Sequence, residues 1–237
     1  LALAPVGLVI ALAAGLILLA AGPGYRFGVW GLGVAFTLLS SAAIGGLVGA
    51  VLSMLGTALS RWHRLRQGAW LPALGLLIGA AVFVVPLSHW ERARQVPPIH
   101  DITTDTETPP AFVAILPLRA GAPDPVEYGG PAVAAQQKAA YPDIAPAVLA
   151  LPPDQAFQRA LAAARAMGWK LVAADEPDGR IEATATTFWF GFKDDVVIRL
   201  RPQGTGTRVD VRSVSRVGRS DLGTNAVRIR AFLARLA

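Results

Sequence analysis

The run LALAPVGLVIALAAGLILLAA at residues 1–21 contains no charged side chain, which suits it to hydrocarbon rather than water. A helix rises about 1.5 Å per residue, so roughly 20 apolar residues cross the ~30 Å of bilayer hydrocarbon. Two more uncharged runs follow, Phe27–Ser60 and Gln67–Ser88. Each is long enough for a span, and the second exceeds the need, so its helix is tilted or starts near Gly31. The alternative for the first run is a signal peptide, whose apolar stretch is usually shorter, about 7–15 residues. We read it as a retained span.

Outward from that run, the charge changes with the solvent. Residues 1–89 hold Arg26, Arg61, Arg64 and Arg66 and no acidic residue, whereas all 16 acidic residues come later. The chain is 53% hydrophobic and only 16% charged, below the quarter usual for water-soluble domains. Its formal charge of +6 is mostly this asymmetry, so nucleic acid is not an expected partner. Arg61, Arg64 and Arg66 crowd one short link. By the positive-inside rule that link and the N-terminus are cytoplasmic, which places everything after the third span outside, in the periplasm of a bacterial inner membrane. Arg92 and Arg94 oppose this reading and Glu91 partly offsets them.

The expected organisation is a three-span anchor at 1–89, a proline-rich linker and arm at 90–151, and a soluble α+β domain at 152–237. No Asp, Glu, Lys or Arg falls at hydrocarbon depth, so an ion or proton route through this chain is not expected. Gly45, Gly46, Gly49 and Ala50 form small-xxx-small pairs that let helices approach closely. They serve either the chain's own three helices or lateral docking against another membrane protein.

The arm, residues 97–153, holds 12 of the 18 prolines, which excludes long regular elements. Phe112–Leu116 reads as one short strand and Ala132–Ala140 as a short helix with Pro131 in its first turn. The cluster from His100 to Thr106 reads as turns and caps; hard-cation ligation is the other option, without EF-hand spacing. There is no cysteine, and histidines 63, 89 and 100 are scattered, so no metal site and no cofactor is expected.

In the domain, Phe157, Ala160, Leu161, Ala164 and Met167 repeat at helical spacing, with Gly168 as the stop. Four strands follow, at Trp169–Ala174, Ile181–Phe188, around Val196–Arg201 and at Thr207–Val214. Asp178-Gly179 and Gly204-Thr205-Gly206 mark turns. The alternation slips near Ser213–Val214, as at a bulge or strand end. A last helix at Gly223–Leu236 carries the stripe Ile229, Phe232, Leu233 and Leu236. The expected fold is thus a membrane all-α three-helix segment plus an α+β domain. In that domain a four-stranded antiparallel meander is flanked in sequence by two helices packed on one face. Arg199, Arg201, Arg208 and Arg212 then share the opposite face, where they meet lipid headgroups, an acidic partner or the chain's own acidic 90–195 segment.

The stretch SVSRVGRSDLGTN, residues 213–225, joins the last strand to the last helix. A helix start offers unpaired N–H groups, arginine forks match phosphate or carboxylate, and glycine permits close approach. Ser215, Arg216, Gly218, Arg219, Ser220, Asp221, Thr224 and Asn225 are therefore candidates for an anion or partner contact. Equally, Asp221 or Ser220 can cap the helix and Asp221 can pair with the arginines, leaving the junction internally satisfied. Phe188, Trp189, Phe190 and Phe192 form either packed core or a lipid or interface rim. No nucleophile–base pattern is visible, and Asp194 and Asp195 point opposite ways if extended.

Several blocks together resemble the DUF1499 family of uncharacterised proteins. They are Asp101-Ile102-Thr103-Thr104-Asp105, Pro109-Pro110 with Phe112, Tyr141-Pro142, and above all Ser213–Asn225 followed by Arg228-Ile229. The resemblance covers about residues 100–236, and the three-span N-terminus resembles proteobacterial members. Many members carry a Pro-Asn-Cys-Val-Ser-like segment where this chain has Thr104-Asp105-Thr106-Glu107-Thr108-Pro109-Pro110, so no cysteine-dependent role carries over. The resemblance implies domain limits and no reaction. The function expected is that of a non-enzymatic accessory or assembly subunit of an inner-membrane complex, in contact with membrane lipid and with another inner-membrane protein. The alternative is a lipid-headgroup or small-anion binding module at the outer leaflet, and a membrane-anchored hydrolase comes third.

Overall fold

The computed structural model describes residues 3–62 and 70–236, without the side chains of residues 60–62. Of the basic link on which the orientation argument rests, Arg64 and Arg66 fall outside that description and Arg61 is described without its side chain. Two compact units result: residues 1–92 with Trp189–Gly191, and residues 93–188 with 192–237.

The first unit is built from α1 (Leu3–Arg26), α2 (Leu32–Trp62) and α3 (Trp70–Gln95). Among the described residues these are the three helices long and apolar enough to cross a membrane. Their burial inverts that of a water-soluble bundle. Small residues lie inside, among them Ala4, Gly7, Ala11, Ala14 and Ala21 of α1, while Leu16, Leu19, Ile44 and Leu77 are exposed. In lipid, leucine gains nothing by hiding, so association depends on close backbone approach through small residues. Gly49 shows how close: a Cβ there would stand 2.8 Å from Ala11 N and Gly7 O. A Cβ on Gly46 would stand 2.8 Å from Gly79 O, one on Gly45 would meet Ala14 Cβ at 3.1 Å, and Ala50 lies against Gly79. All four small residues are thus in use between the chain's own helices. Trp189 also belongs to this unit, its indole N–H donating to Leu19 O at 3.4 Å. Phe190 lies 6.0 Å from the Tyr25 ring and 6.2 Å from Phe36.

The second unit contains β1 (Asp101–Thr103), a 3₁₀ turn at Leu116–Arg119, α4 (Gly130–Ala140), β2 (Ala147–Leu149) and α5 (Pro153–Ala166). Then come β3 (Lys170–Asp175), β4 (Arg180–Thr186), β5 (Lys193–Gln203), β6 (Gly206–Ser215) and α6 (Thr224–Leu233). The described sheet has six strands in the order β1-β6-β5-β4-β3, with β2 also on β6, so the four-stranded meander expected from the sequence is overturned. The meander β3–β6 is present, but β6 is not an edge. Asp101–Thr103 pairs antiparallel with Arg212–Val214, and Ala147–Leu149 with Thr207–Val209. Both added strands are three residues long and come from the proline-rich arm, too short for alternation to show. Gln137 completes the outer edge of β1 as a further strand would. Its amide donates to Thr103 O at 2.6 Å and accepts from Thr103 N at 2.9 Å.

One more expectation changes and another narrows. Phe112–Leu116 is not a strand; the segment turns and leads into the 3₁₀ turn. Of the two readings of the slip at Ser213–Val214, the bulge is excluded, since the register with β5 is continuous to Asp194↔Ser215, and the strand ends there, at Ser215. The irregularity lies instead between Leu171 and Ala173 in β3.

One face of the sheet holds the main core. Phe157, Ala160 and Leu161 of α5 and Ile229 and Phe232 of α6 pack with Ile181, Ile198, Val209 and Val211. The other face carries a small second core, Phe112, Ile115, Val197 and Val214, under the arm.

Candidate functional site

The arm-side face of the sheet is an array of buried charges. Asp195, fully buried, accepts from Arg119 Nη1 at 2.8 Å, from Arg216 Nε and Nη2 at 2.8 Å each, and from Thr184 Oγ1 at 2.7 Å. Arg119 also donates to the carbonyls of Asp124 and Ser215, and Arg216 to that of Leu118. One row along, Arg212 forks onto Asp101 at 3.0 and 2.7 Å and reaches Pro110 O and Val126 O. Glu182, also fully buried, takes the successive N–H groups of Val113, Ala114 and Ile115 at 2.9–3.0 Å. Three successive amides closing on one carboxylate form an anion nest, here filled from within the chain. Farther on, Arg199 and Arg208 share Asp105 and Asp210. Of the four arginines expected on this face, Arg199, Arg208 and Arg212 are held by the chain's own carboxylates, while Arg201 is exposed.

The 213–225 junction is satisfied in the same way on the helix side. Asp221 accepts from Gly223 N at 2.9 Å and Asn225 N at 2.7 Å, so it occupies the donors at the start of α6. Asn225 donates to His100 O and Ser215 Oγ and accepts from Ser213 Oγ and Arg228. Arg228 reaches Asp194 at 2.5 Å. Asp194 and Asp195 therefore do serve opposite faces. Ser220 Oγ accepts from Leu222 N and donates to Pro97 O at 3.5 Å. The turn takes Gly218, Leu222 and Gly223 into positive φ (109°, 54° and 78°), and only Leu222 has a side chain to strain there. Thr224 is exposed; Arg219 is exposed and makes no ion pair among the described residues.

Titration follows burial. Burial lifts the Asp101 carboxyl above its ordinary range against the pull of Arg212, and lifts Asp221 with help from the Asp194 charge. Tyr128, stacked on the Arg212 guanidinium at 5.6 Å, is pushed up to about 12 by burial and then by Asp101. An anion brought to the α6 start would meet Asp221 before it met a free amide. Among the described residues no group of three or more His, Asp or Glu side chains converges as metal ligands. A shallow open depression at Pro153, Asp154, Glu176 and Pro177 lies at the far end of β4 from Thr186.

Of the junction residues singled out from the sequence, Ser215 and Asn225 bond each other and Asp221 bonds the Asn225 amide, whereas Arg216 turns to Asp195 on the arm side. Sequence reasoning missed Arg119 and Glu182, and it named Asp101 and Arg228 only as parts of other blocks, without their place in the array. The one available signal was an excess of acidic residues before residue 196 against arginines after it.

No curated protein and no solved structure matches the chain. A family model described as "Protein of unknown function (DUF1499)" matches residues 101–236, from the first residue of β1 to the end of the last helical turn. More than half of the chain is covered, and the match takes in the whole charge array, the junction and the six-stranded sheet: the chain belongs to the DUF1499 family.

Proposed function

We propose that this chain is a non-enzymatic accessory or assembly subunit of a bacterial inner-membrane protein complex, with its N-terminus cytoplasmic and its C-terminal domain periplasmic. One observation carries the reading. Most of the carboxylates, guanidinium groups and hydroxyls that would do chemistry or bind a small anion in the interior are spent on one another, from Asp195 with Arg119 and Arg216 to Asp221 on the α6 start, and Arg219 stays at the outer surface. A domain so closed works through its outer surface. The anchor offers a second surface, because its lipid-facing side chains, such as Leu16 and Leu77, are large and exposed once the small residues are used internally.

Photo-crosslinking in intact membranes from Leu16 and Leu77 tests this. A discrete adduct with one membrane protein is the expected product. Adducts with lipid alone, together with a monomer in native mass spectra from mild detergent, would remove the reading. Orientation has its own test. The chain has no cysteine, so Val148→Cys, at an exposed position, introduces a single thiol. An impermeant maleimide should label it once the outer membrane is opened, and protection until the inner membrane is broken would reverse the topology.

A further inference from the structure

One end of the second unit's sheet combines exposed apolar and basic side chains. This is the end where β4 stops at Thr186, β5 begins at Lys193 and β6 finishes at Ser215. Phe188, just past β4, is 91% exposed. The 3₁₀ turn reaches the same end, since Leu118 O accepts from Arg216 Nη1 at 2.7 Å, and Arg216 N donates to Lys193 O. That turn presents Leu116 and Leu118, 45% and 53% exposed. Lys193 and Arg219 are exposed here and make no ion pair among the described residues. In water such a surface has no reason to be apolar, and singly exposed leucines are ordinary but a cluster with a phenylalanine is not.

The path of the chain identifies the occupant. The residues that follow α3 in sequence pack at this end, where Pro97 O accepts from Ser220 Oγ and Ile99 O accepts from Asp221 N. The helix they leave is one of those long and apolar enough to cross a membrane. Apolar side chains with unpaired cations beside them match the boundary between acyl chains and anionic headgroups.

We propose that Leu116, Leu118 and Phe188, with Lys193 and Arg219, form a lipid-contacting surface that seats this end of the sheet in the headgroup layer and takes anionic phospholipid. The surface is independent of the protein-partner reading, because it needs only the bilayer in which the anchor sits. Val148 supplies the control. It is also apolar and exposed, but it pairs with Arg208, seven residues along β6 from Ser215 and so about 24 Å away.

The test uses the full chain in nanodiscs of phosphatidylcholine with or without phosphatidylglycerol. Single cysteines are placed at Leu116, Leu118, Phe188 or Val148 and carry an environment-sensitive fluorophore, with nitroxide-labelled lipid as quencher. Probes at the first three positions should shift to the blue and be quenched, while the Val148 probe is not. Phosphatidylglycerol should strengthen the quenching. Lys193→Glu and Arg219→Glu should each weaken it in anionic discs, by at least about fivefold in the docking equilibrium, the loss of the cation alone, with the added anion's repulsion on top. Equal, weak quenching at all four positions would overturn the proposal. Quenching indifferent to phosphatidylglycerol and to both reversals would overturn its anionic part and leave only apolar contact. Loss of a cross-linked partner with quenching intact would instead count against the protein-partner reading alone.

Discussion

Replacing Asp195 by Asn keeps the volume of the side chain and removes its charge, which isolates what that charge does. The carboxylate is fully buried and lies between the guanidinium groups of Arg119 and Arg216, themselves 5% and 15% exposed. It takes three arginine bonds at 2.8 Å and one from Thr184. An amide accepts through one oxygen, and its NH₂ group would face a guanidinium donor. Two cations would then share a water-poor site without a counter-ion. Removing one partner from a buried ion pair costs about 3–5 kcal/mol, because the remaining charge has been desolvated for nothing. Arg119 keeps its carbonyl acceptors and Arg216 can swing toward solvent, so the lower half of that range is expected. Urea titration of the full chain in mild detergent reads it, with the fluorescence of Trp169, stacked on Phe232 in the main core, as reporter. Hydrogen exchange should show the loss first at residues 113–120, which lie over this site. A change within about 0.5 kcal/mol of wild type, the range of ordinary surface substitutions, would refute the claim that charge holds the arm.

Three other outcomes follow from single contacts. Gly49→Leu should disrupt the helix bundle, since even a Cβ there sits 2.8 Å from backbone atoms of α1; Gly33→Leu, with nothing within 4 Å, should be silent. Thermal aggregation in detergent compares the pair, with overpacking costing about 1–3 kcal/mol or more. Asp221→Ala strips two N–H partners from the α6 start and should cost about 0.5–2 kcal/mol in the same urea titration. Asp105 gives a pH dependence. Burial pushes its carboxyl up, but bonds from Thr108 and Glu107 and the Arg199 charge bring it below its ordinary 3.8. A folded value below the unfolded one means stability that is present above 3.8 and lost as pH falls through the folded value. The advantage of wild type over Asp105→Asn should therefore be full at pH 7 and vanish in strong acid, and an advantage constant with pH would contradict this.

What could be read from the sequence was what repeats. The three spans, the α5 stripe from Phe157 to Ala164 and the alternation of Val196, Ile198 and Leu200 each declare themselves by period and length. Asp101–Thr103 and Ala147–Leu149 have no period to show. They are strands because β6 offers an unpaired edge, and a proline-rich chain can fill three-residue gaps in it. Ser213 misled for a related reason. It occupies a core-facing position with a polar side chain, which looks like a broken period. The polar slot exists because Asn225 and Arg228 come from α6 to meet it. In the candidate junction, residue types alone left binding and capping open, since arginine, serine and aspartate serve both. The capping contact is local, Asp221 on the amides of Gly223 and Asn225, but the partners that occupy Ser215 O and Arg216, namely Arg119 and Asp195, lie about 20 to 100 positions away, and no local pattern encodes them.

The use of charge to fix the arm has a physical reason. Beneath it the second core buries only Phe112 and Ile115 against Val197 and Val214. So few apolar side chains offset little of the entropy lost in ordering the segment from Asp105 to Tyr128. Apolar contact is also indifferent to small slips, whereas a guanidinium fork on a carboxylate admits one geometry. Arg212 on Asp101, Arg216 on Leu118 O and Glu182 on three consecutive amides each fix a different point of the arm. Such pairs contribute modest net stability and considerable positional definition, a use of buried charge known from other folds. The turn at Leu116–Arg119 is thereby held in one place, with Arg119 drawn inward and its two leucines left outside. A surface meant to meet a bilayer needs that: apolar groups that cannot retreat into the protein when the lipid is absent.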